Sequence, residues 1–376
     1  MRILLGGIPL GCDNIGDEAI IAGVVRMLKE SIPGVELTVA TDDPATAANL
    51  GVNVVPVFGF LDVGFAGFAA EAKRHDAYIW CGATGLSDYP HVALELLEIA
   101  QGEGVPTFIW GVGMDDELNP VFFKAHGRRL AILKMLGLVG AYERLLHGRL
   151  KRRIARVLSR CKGVWLRDPQ SAEVLAATGF PGAGVAADSA ILLCDVASST
   201  ARISSGSRTL GLCISTQRQV VDLEGVRRMI ATVRDFGARV IGIPMNPKTD
   251  RALLESLGVE CIPGTTPEAV MAAAATCDVV LSSRLHLLIL AANVGTPGLG
   301  IARGSKLANW LANFNRQIEG NVSVCDWELV TEHILSAMKD RGDWDKVRDS
   351  AYAELFSRLE KARVELVSRL EACRGS

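Results

Sequence analysis

The feature that most constrains the fold is a repeated alternation. Short apolar runs rich in β-branched and aromatic residues are each followed by a longer stretch with helical periodicity. In the first half these runs are "RILLGGI", "ELTVAT", "VNVVPV", "AYIWCGA", "PTFIWGVG" and "GVWLRD". After the polar stretch "ASSTARISSGSR" (197–208) the pattern restarts with "TLGLCIS", "ARVIGIPM", "VECIPG", "DVVLSS" and "GLGIA". Strands separated by helices require crossover connections and therefore parallel sheets. Between them, a segment such as 17–31 places Ile20, Ile21, Val24, Val25 and Leu28 on one apolar face, suited to covering a sheet. The expectation is an α/β chain of two doubly wound domains facing across a cleft, with a helical tail. The boundaries read as 1–196 for an N-terminal domain, 209–325 for a C-terminal domain and 326–376 for charged helix packed on the outside.

Composition narrows the function classes. A chain of 376 residues with 49% hydrophobic content can bury more than one core, and a formal net charge of -2 argues against a surface built throughout for nucleic acid or anionic membrane. Nine cysteines are widely spaced, with no Cys-x-x-Cys pair and no Cys/His cluster, which reads as reduced thiols in a cytoplasm and no metal site. Several sit in strand-like runs, where cysteine acts as a small hydrophobe. The start "MRILLGGIPLGC" is too short and too broken by Gly6, Gly7 and Pro9 for an export signal, and no apolar run of about 18 residues predicts a membrane span.

In open parallel sheets, ligands bind beyond the C-terminal strand ends, so candidate residues are those that follow strands. In "GGIPLGCDNIGDEAI" (6–20), Gly11 and Gly16 permit tight turns before a helix beginning near Asp17. One reading makes Asp17 the helix cap and Glu18 an acid favoured in the first turn; the other gives both to a ligand. The stretch is neither Gly-x-Gly-x-x-Gly nor a P-loop, so a dinucleotide site is not predicted. In "DVVLSSRLHLLILAANVGTPGLGI" (278–301), Arg284 and His286 open an almost wholly apolar helix. A cation and an imidazole there need a polar partner, either an acid of the same chain or a bound anion. In "GVWLRDPQSAEVLAATG" (163–179), Arg167 and Asp168 follow a strand, as an internal pair or with the guanidinium turned to a carboxylate or phosphate. Gly82, Gly85, Gly111 and Gly113 end two further strands in turns that let a ligand approach the backbone.

Taken in order, "GCDNIGDEAI", "WCGATG", "WGVGMDD", "LRDPQSAEVLAATG", "AADSAILL", "VIGIPMNPKTD" and "SSRLHLLILAANVGTPGLGI" resemble the polysaccharide pyruvyl transferase family over about residues 1–312. The resemblance implies two Rossmann-like domains similar to GT-B glycosyltransferases. It also implies phosphoenolpyruvate as co-substrate with no further cofactor, and a pyruvate ketal placed on a sugar of a cell-surface polysaccharide or its lipid-linked precursor. Carried over residue by residue, it gives Arg167, Arg284, Leu285, His286 and Lys306 to the donor. Asn14, Gly16, Asp17, Glu18, Gly82 and Gly85 go to the acceptor on the N-terminal side. His286 is then the proton donor or, alternatively, a phosphate ligand, and Asp17, with Glu18 as the second choice, positions or deprotonates acceptor hydroxyls. The chain departs from the family pattern at Gly82, Ala83, Thr84, Gly85, where a glycine triplet is common. It departs again at Ala302, Arg303, Gly304, Ser305, Lys306, where Tyr-Asp-Pro-Lys is common.

The segment from Arg144 to Lys162 carries eight lysines and arginines and no acid. It reads either as a solvated helix face or as a contact with an anionic membrane, which would put a cytoplasmic protein at the inner face of that membrane. Nucleic acid is not expected, since no binding motif accompanies the patch. The competing readings of the whole chain are a GT-B-type glycosyltransferase using a nucleotide sugar and a non-catalytic saccharide-binding relative.

Overall fold

The computed structural model describes residues 1–60, 62–115, 124–125, 127–194, 208–215, 221–302 and 305–374. Nearly all of the expected linker and both Arg303 and Gly304 lie outside the described residues. Every strand-like run of the sequence forms a strand. The first sheet comprises β1 (Arg2–Leu10), β2 (Glu36–Thr41), β3 (Asn53–Val55), β4 (Ala77–Cys81), β5 (Thr107–Val112), β6 (Gly163–Leu166) and β7 (Gly184–Val185), in the order β3-β2-β1-β4-β5-β6-β7. The second comprises β8 (Thr209–Cys213), β9 (Arg239–Gly242), β10 (Glu260–Cys261), β11 (Val279–Ser282) and β12 (Gly298–Gly300), in the order β10-β9-β8-β11-β12. All pairings between these strands are parallel. Both sheets thus share a doubly wound order, whose direction reverses between β1 and β4 in one and between β8 and β11 in the other.

Full burial explains why the central strands read as unbroken apolar runs. All five residues of β4, all six of β5 and all four of β11 are buried. Among the helices are α1 (Ile15–Ser31), α2 (Pro90–Gly102), α3 (Gly127–Met135), α4 (Val139–Leu158), α5 (Pro169–Ala176), α6 (Leu223–Asp235), α7 (Thr249–Ser256), α8 (Leu285–Asn293), α9 (Ser305–Ala312), α10 (Trp327–Lys339) and α11 (Trp344–Cys373).

By packing, the chain divides into two units. One contains residues 1–10, 28–188 and 358–376, and the other 11–27 and 189–357. This division differs from boundaries drawn along the sequence, and the contacts give the reason. Within the second unit, a Cβ at Gly23 would lie 2.7 Å from the carbonyl carbon of Ser189, Arg26 donates to the Leu192 carbonyl at 2.8 Å, and Asn293 donates to the Ala190 carbonyl at 2.9 Å. The first turns of α1 therefore belong with α8. The second core, built on Leu210, Leu212, Val279 and Leu281, also takes Trp327, Val330, Ile334 and Met338 from α10.

Because Ile334 is fully buried in that core, Ile334→Ala should cost about 2–5 kcal/mol in denaturant unfolding. A loss below about 1 kcal/mol would mean that α10 is not part of the core.

Candidate functional site

The site is built where α1 and α8 begin. After β1, the chain turns through left-handed residues Gly11 (φ 78°) and Asp13 (φ 55°), and Lys248 holds the Asp13 carboxylate at 2.5 Å. Asn14 then serves as the cap of α1. Its Oδ1 accepts from Gly16 N at 3.2 Å, and its carbonyl accepts from Asp17 N at 3.0 Å and Glu18 N at 3.2 Å. The helix starts at Ile15, so Asp17 is not its cap, and the Asp17 carboxyl instead accepts the Asn14 side-chain amide at 2.7 Å. A further backbone bond, Ile15 N to the Met245 carbonyl at 3.0 Å, ties this turn to the segment after β9.

Gly16 does not need glycine for its backbone conformation, because it has no positive φ. It needs the missing side chain: a Cβ there would lie 2.6 Å from Cγ of His286 and would also overlap Nδ1. The imidazole therefore stands directly against the first turn of α1.

At the end of β11, Ser282 Oγ accepts from Arg284 N at 2.9 Å and donates to the Arg284 carbonyl at 2.8 Å, closing a tight link between β11 and α8. Arg284 meets the fully buried carboxylate of Asp250 in a two-pronged pair, Nη2 to Oδ1 at 2.7 Å and Nε to Oδ2 at 3.0 Å. Asp250 is held in turn by Asn246 N at 2.9 Å. The acid partner considered from sequence thus exists, and it fixes the plane of the guanidinium. Leu285 is a core residue, 4% exposed.

Charge converges on Asp17. Burial raises its pKa from 3.8 to about 6, against the opposing pull of His286, Lys306, the Asn14 hydrogen bond and Arg284. Glu18, next in the helix, is half-buried. Lys306, in the first turn of α9, is therefore close enough to act on the same carboxyl as α1 and α8. The Cys213 thiol lies 3.6 Å from Asp250, and burial, followed by that carboxylate, pushes its pKa well above 9, so it is no nucleophile at neutral pH.

The other unit holds the remaining candidates. Arg167 follows β6, is 7% exposed, and lies 3.2 Å from Asp168 and 4.0 Å from Asp188. Asp168 also caps α5 by accepting from Ser171 N at 2.8 Å. A Cβ at Gly113 would lie 2.6 Å from the Arg167 Cζ, so here too an absent side chain admits a functional-looking one. Gly82 and Ala83 both take left-handed backbone (φ 65° and 54°), while Gly85 makes room for the ring of Trp80.

The structure thus brings Asn14, Gly16, Asp17, Arg284, His286 and Lys306 together in one unit, although sequence reasoning had divided them between an acceptor and a donor side. Gly82, Gly85 and Arg167 belong to the other unit. Sequence reasoning missed Asp250 and the reason for Gly113. Asp250 closes the run "VIGIPMNPKTD", the one acid after β9 and so the available signal. Among the described residues, no group of three or more His, Cys, Asp or Glu side chains could hold a metal ion.

Two parallel doubly wound sheets with C-terminal helices, and an acid, an imidazole and two cations at a strand-end switch point, define a GT-B-type α/β architecture. Solved structures of similar shape include a UDP-GlcNAc 2-epimerase from Neisseria meningitidis bound to UDP-GlcNAc (TM-score 0.62, 11% identity, 99% of this chain and 100% of that one) and the glycotransferase of kitacinnamycin (TM-score 0.53, 11% identity, 99% and 98%). A putative UDP-N-acetylglucosamine 2-epimerase from Listeria monocytogenes is similar in the same way (TM-score 0.58, 11% identity, 99% and 95%). At such identity these likenesses show the fold alone. No curated protein matches the chain in sequence. Residues 14–305 match the family model of polysaccharide pyruvyl transferases, and the chain belongs to that family.

A carboxyl raised to about 6 costs stability once it ionises. Below about pH 4 both folded and unfolded chains hold the proton and nothing is lost; the penalty grows as pH rises to about 6 and is complete above it. Asp17→Asn should therefore raise the thermal midpoint by about 2–4 °C at pH 8 and leave it unchanged near pH 4. A gain independent of pH would contradict this placement of Asp17.

Proposed function

We propose that this protein transfers the pyruvyl group of phosphoenolpyruvate to two hydroxyls of a sugar in a cell-surface polysaccharide or its precursor, forming a ketal and releasing phosphate. The observation that carries the reading is the meeting of Asp17, with a pKa of about 6, with His286, Arg284 and Lys306, in a member of this family.

Phosphoenolpyruvate is a small trianion, and Arg284 and Lys306 supply the charge to hold its phosphate and carboxylate. His286 delivers a proton to the methylene carbon, which leaves positive character on C2. A sugar hydroxyl adds there while Asp17 accepts its proton; phosphate departs, and a second hydroxyl of the same sugar closes the ketal. The balance needs no oxidant, metal or further cofactor. Of the two protons lost by the sugar, one ends on the new methyl group and one on phosphate. A base with a pKa of about 6 is ionised at neutral pH yet strong enough to take part in proton transfer, so turnover should fall as pH drops below about 6.

The experiment is incubation with phosphoenolpyruvate and a panel of sugar acceptors, following phosphate release and acceptor mass. Phosphoenolpyruvate should raise the thermal midpoint and a uridine diphosphate should not. Lys306→Ala and Arg284→Lys should each raise the KM for phosphoenolpyruvate by roughly tenfold or more. Asp17→Asn should lower kcat by about a hundredfold or more while phosphoenolpyruvate still stabilises the protein. Stabilisation by the nucleotide and not by phosphoenolpyruvate would overturn the reading in favour of a nucleotide-sugar transferase.

A further inference from the structure

The basic segment singled out in the sequence runs along α4 as far as Leu158. Its C-terminal half is fastened down. In α4 the buried residues are Ile154, Val157 and Leu158, and Arg153 meets Glu95 at 2.7 Å and Glu98 at 2.5 Å, with Arg156 also 2.9 Å from Glu98. These cations are spent on α2. The N-terminal half of α4 and the whole of α3 are not packed in this way, since α3 contributes no buried residue at all.

What that protruding part exposes is apolar at its tip and basic behind it. Ile132 (54% exposed) and Met135 (79%) stand three residues apart on one face of α3, and Leu136 (56%) follows directly after the last residue of that helix. Gly137, with φ 66°, ends that helix, and Leu138 (48%) opens the next, whose Leu145 is 46% exposed. Arg128 and Arg129 stand one turn before Ile132 on the same face, while Arg149 and Arg152 stand one and two turns beyond Leu145 on its face. All four are exposed, as are Lys134 and Arg144. From residue 127 to 152 the one acid is Glu143.

Large side chains left in water at a turn between two helices, with cations set back from them along both, match a layered partner. A lipid bilayer has that layering, with a phosphate plane over a hydrocarbon interior. We infer that the α3–α4 turn is a membrane-docking element, with Ile132, Met135, Leu136 and Leu138 entering the headgroup boundary of a bilayer. Arg128, Arg129, Arg149 and Arg152 then meet the phosphates of anionic lipids. A protein partner would need no such separation of apolar tip from basic flanks, and no helix among the described residues is long and apolar enough to cross the bilayer. The inference stands on this surface alone. It gains meaning from the proposed function, because a lipid-linked sugar precursor would be presented at the same surface.

The test is co-sedimentation of the full chain with vesicles of phosphatidylcholine containing 30% phosphatidylglycerol, and with vesicles of phosphatidylcholine alone, at low and high salt. The expected result is binding to the anionic vesicles only, weakened by salt. A tip variant, Met135→Asp with Leu136→Asp, and a flank variant, Arg128→Glu with Arg129→Glu, should each lose at least about tenfold in vesicle affinity with an unchanged thermal midpoint. Phosphate release with a water-soluble acceptor should be unchanged in both, which separates this inference from the proposed activity. No binding by the wild-type chain, or binding that survives either variant, overturns it. So does a tip variant whose only effect is to dissociate an oligomer.

Discussion

The imidazole of His286 occupies space that any residue but glycine at position 16 would fill, and that contact decides where the other groups of the site can be. Because the ring stands against the first turn of α1, Asp17 one residue on is drawn into a half-buried, cation-rich setting, although helix first turns ordinarily leave such acids in water. Asn14 makes this possible by taking over the capping role, and the bond from Ile15 N to the Met245 carbonyl holds the turn in place. Removing water from the carboxyl raises its pKa; His286, Lys306 and Arg284 limit the rise. The result is an acid with its pKa raised to about 6, set beside the His286 ring.

The two units use the same device for different ends. In one, the absent side chain of Gly16 admits His286; in the other, that of Gly113 admits Arg167. Each arginine is anchored by carboxylates of its own unit, Arg284 by Asp250 and Arg167 by Asp168 and Asp188. Such anchoring costs some of the guanidinium's attraction for a ligand, but it sets orientation before any ligand arrives. Removing one partner of such a pair leaves a buried charge without compensation, which is why the conservative Arg284→Lys is the more informative variant.

The fold was legible because central parallel strands are buried on both faces and so appear as plain apolar runs; only the two-residue β7 left no such trace. Position along the chain was a poorer guide to assembly. Asp17 and His286 lie in the same unit although far apart in sequence, so dividing them between an acceptor and a donor half reflected chain order rather than packing. The cap was left open for a local reason: Asn14 and Asp17 are both good caps three residues apart, and the structure starts the helix at Ile15 with Asn14 accepting from Gly16 N. Asp250 was hidden because a single acid in the first turn of a helix carries no mark of its partner. Gly16 and Gly113 looked like turn glycines because sequence cannot separate a glycine needed for its backbone from one needed for its missing Cβ. The basic segment was visible as charge, but which of its arginines are spent on Glu95 and Glu98 depends on how α2 and α4 pack.

The central claim is that Asp17 titrates near pH 6 within the site that receives the donor. Its carboxyl carbon can be followed by NMR in protein labelled at aspartate Cγ, with Asp17→Asn supplying the assignment, across about pH 4 to 8. The account expects an inflection at about 6, moved upward when phosphoenolpyruvate adds negative charge beside it. An inflection in the ordinary aspartate range near 4, unmoved by phosphoenolpyruvate, would contradict it.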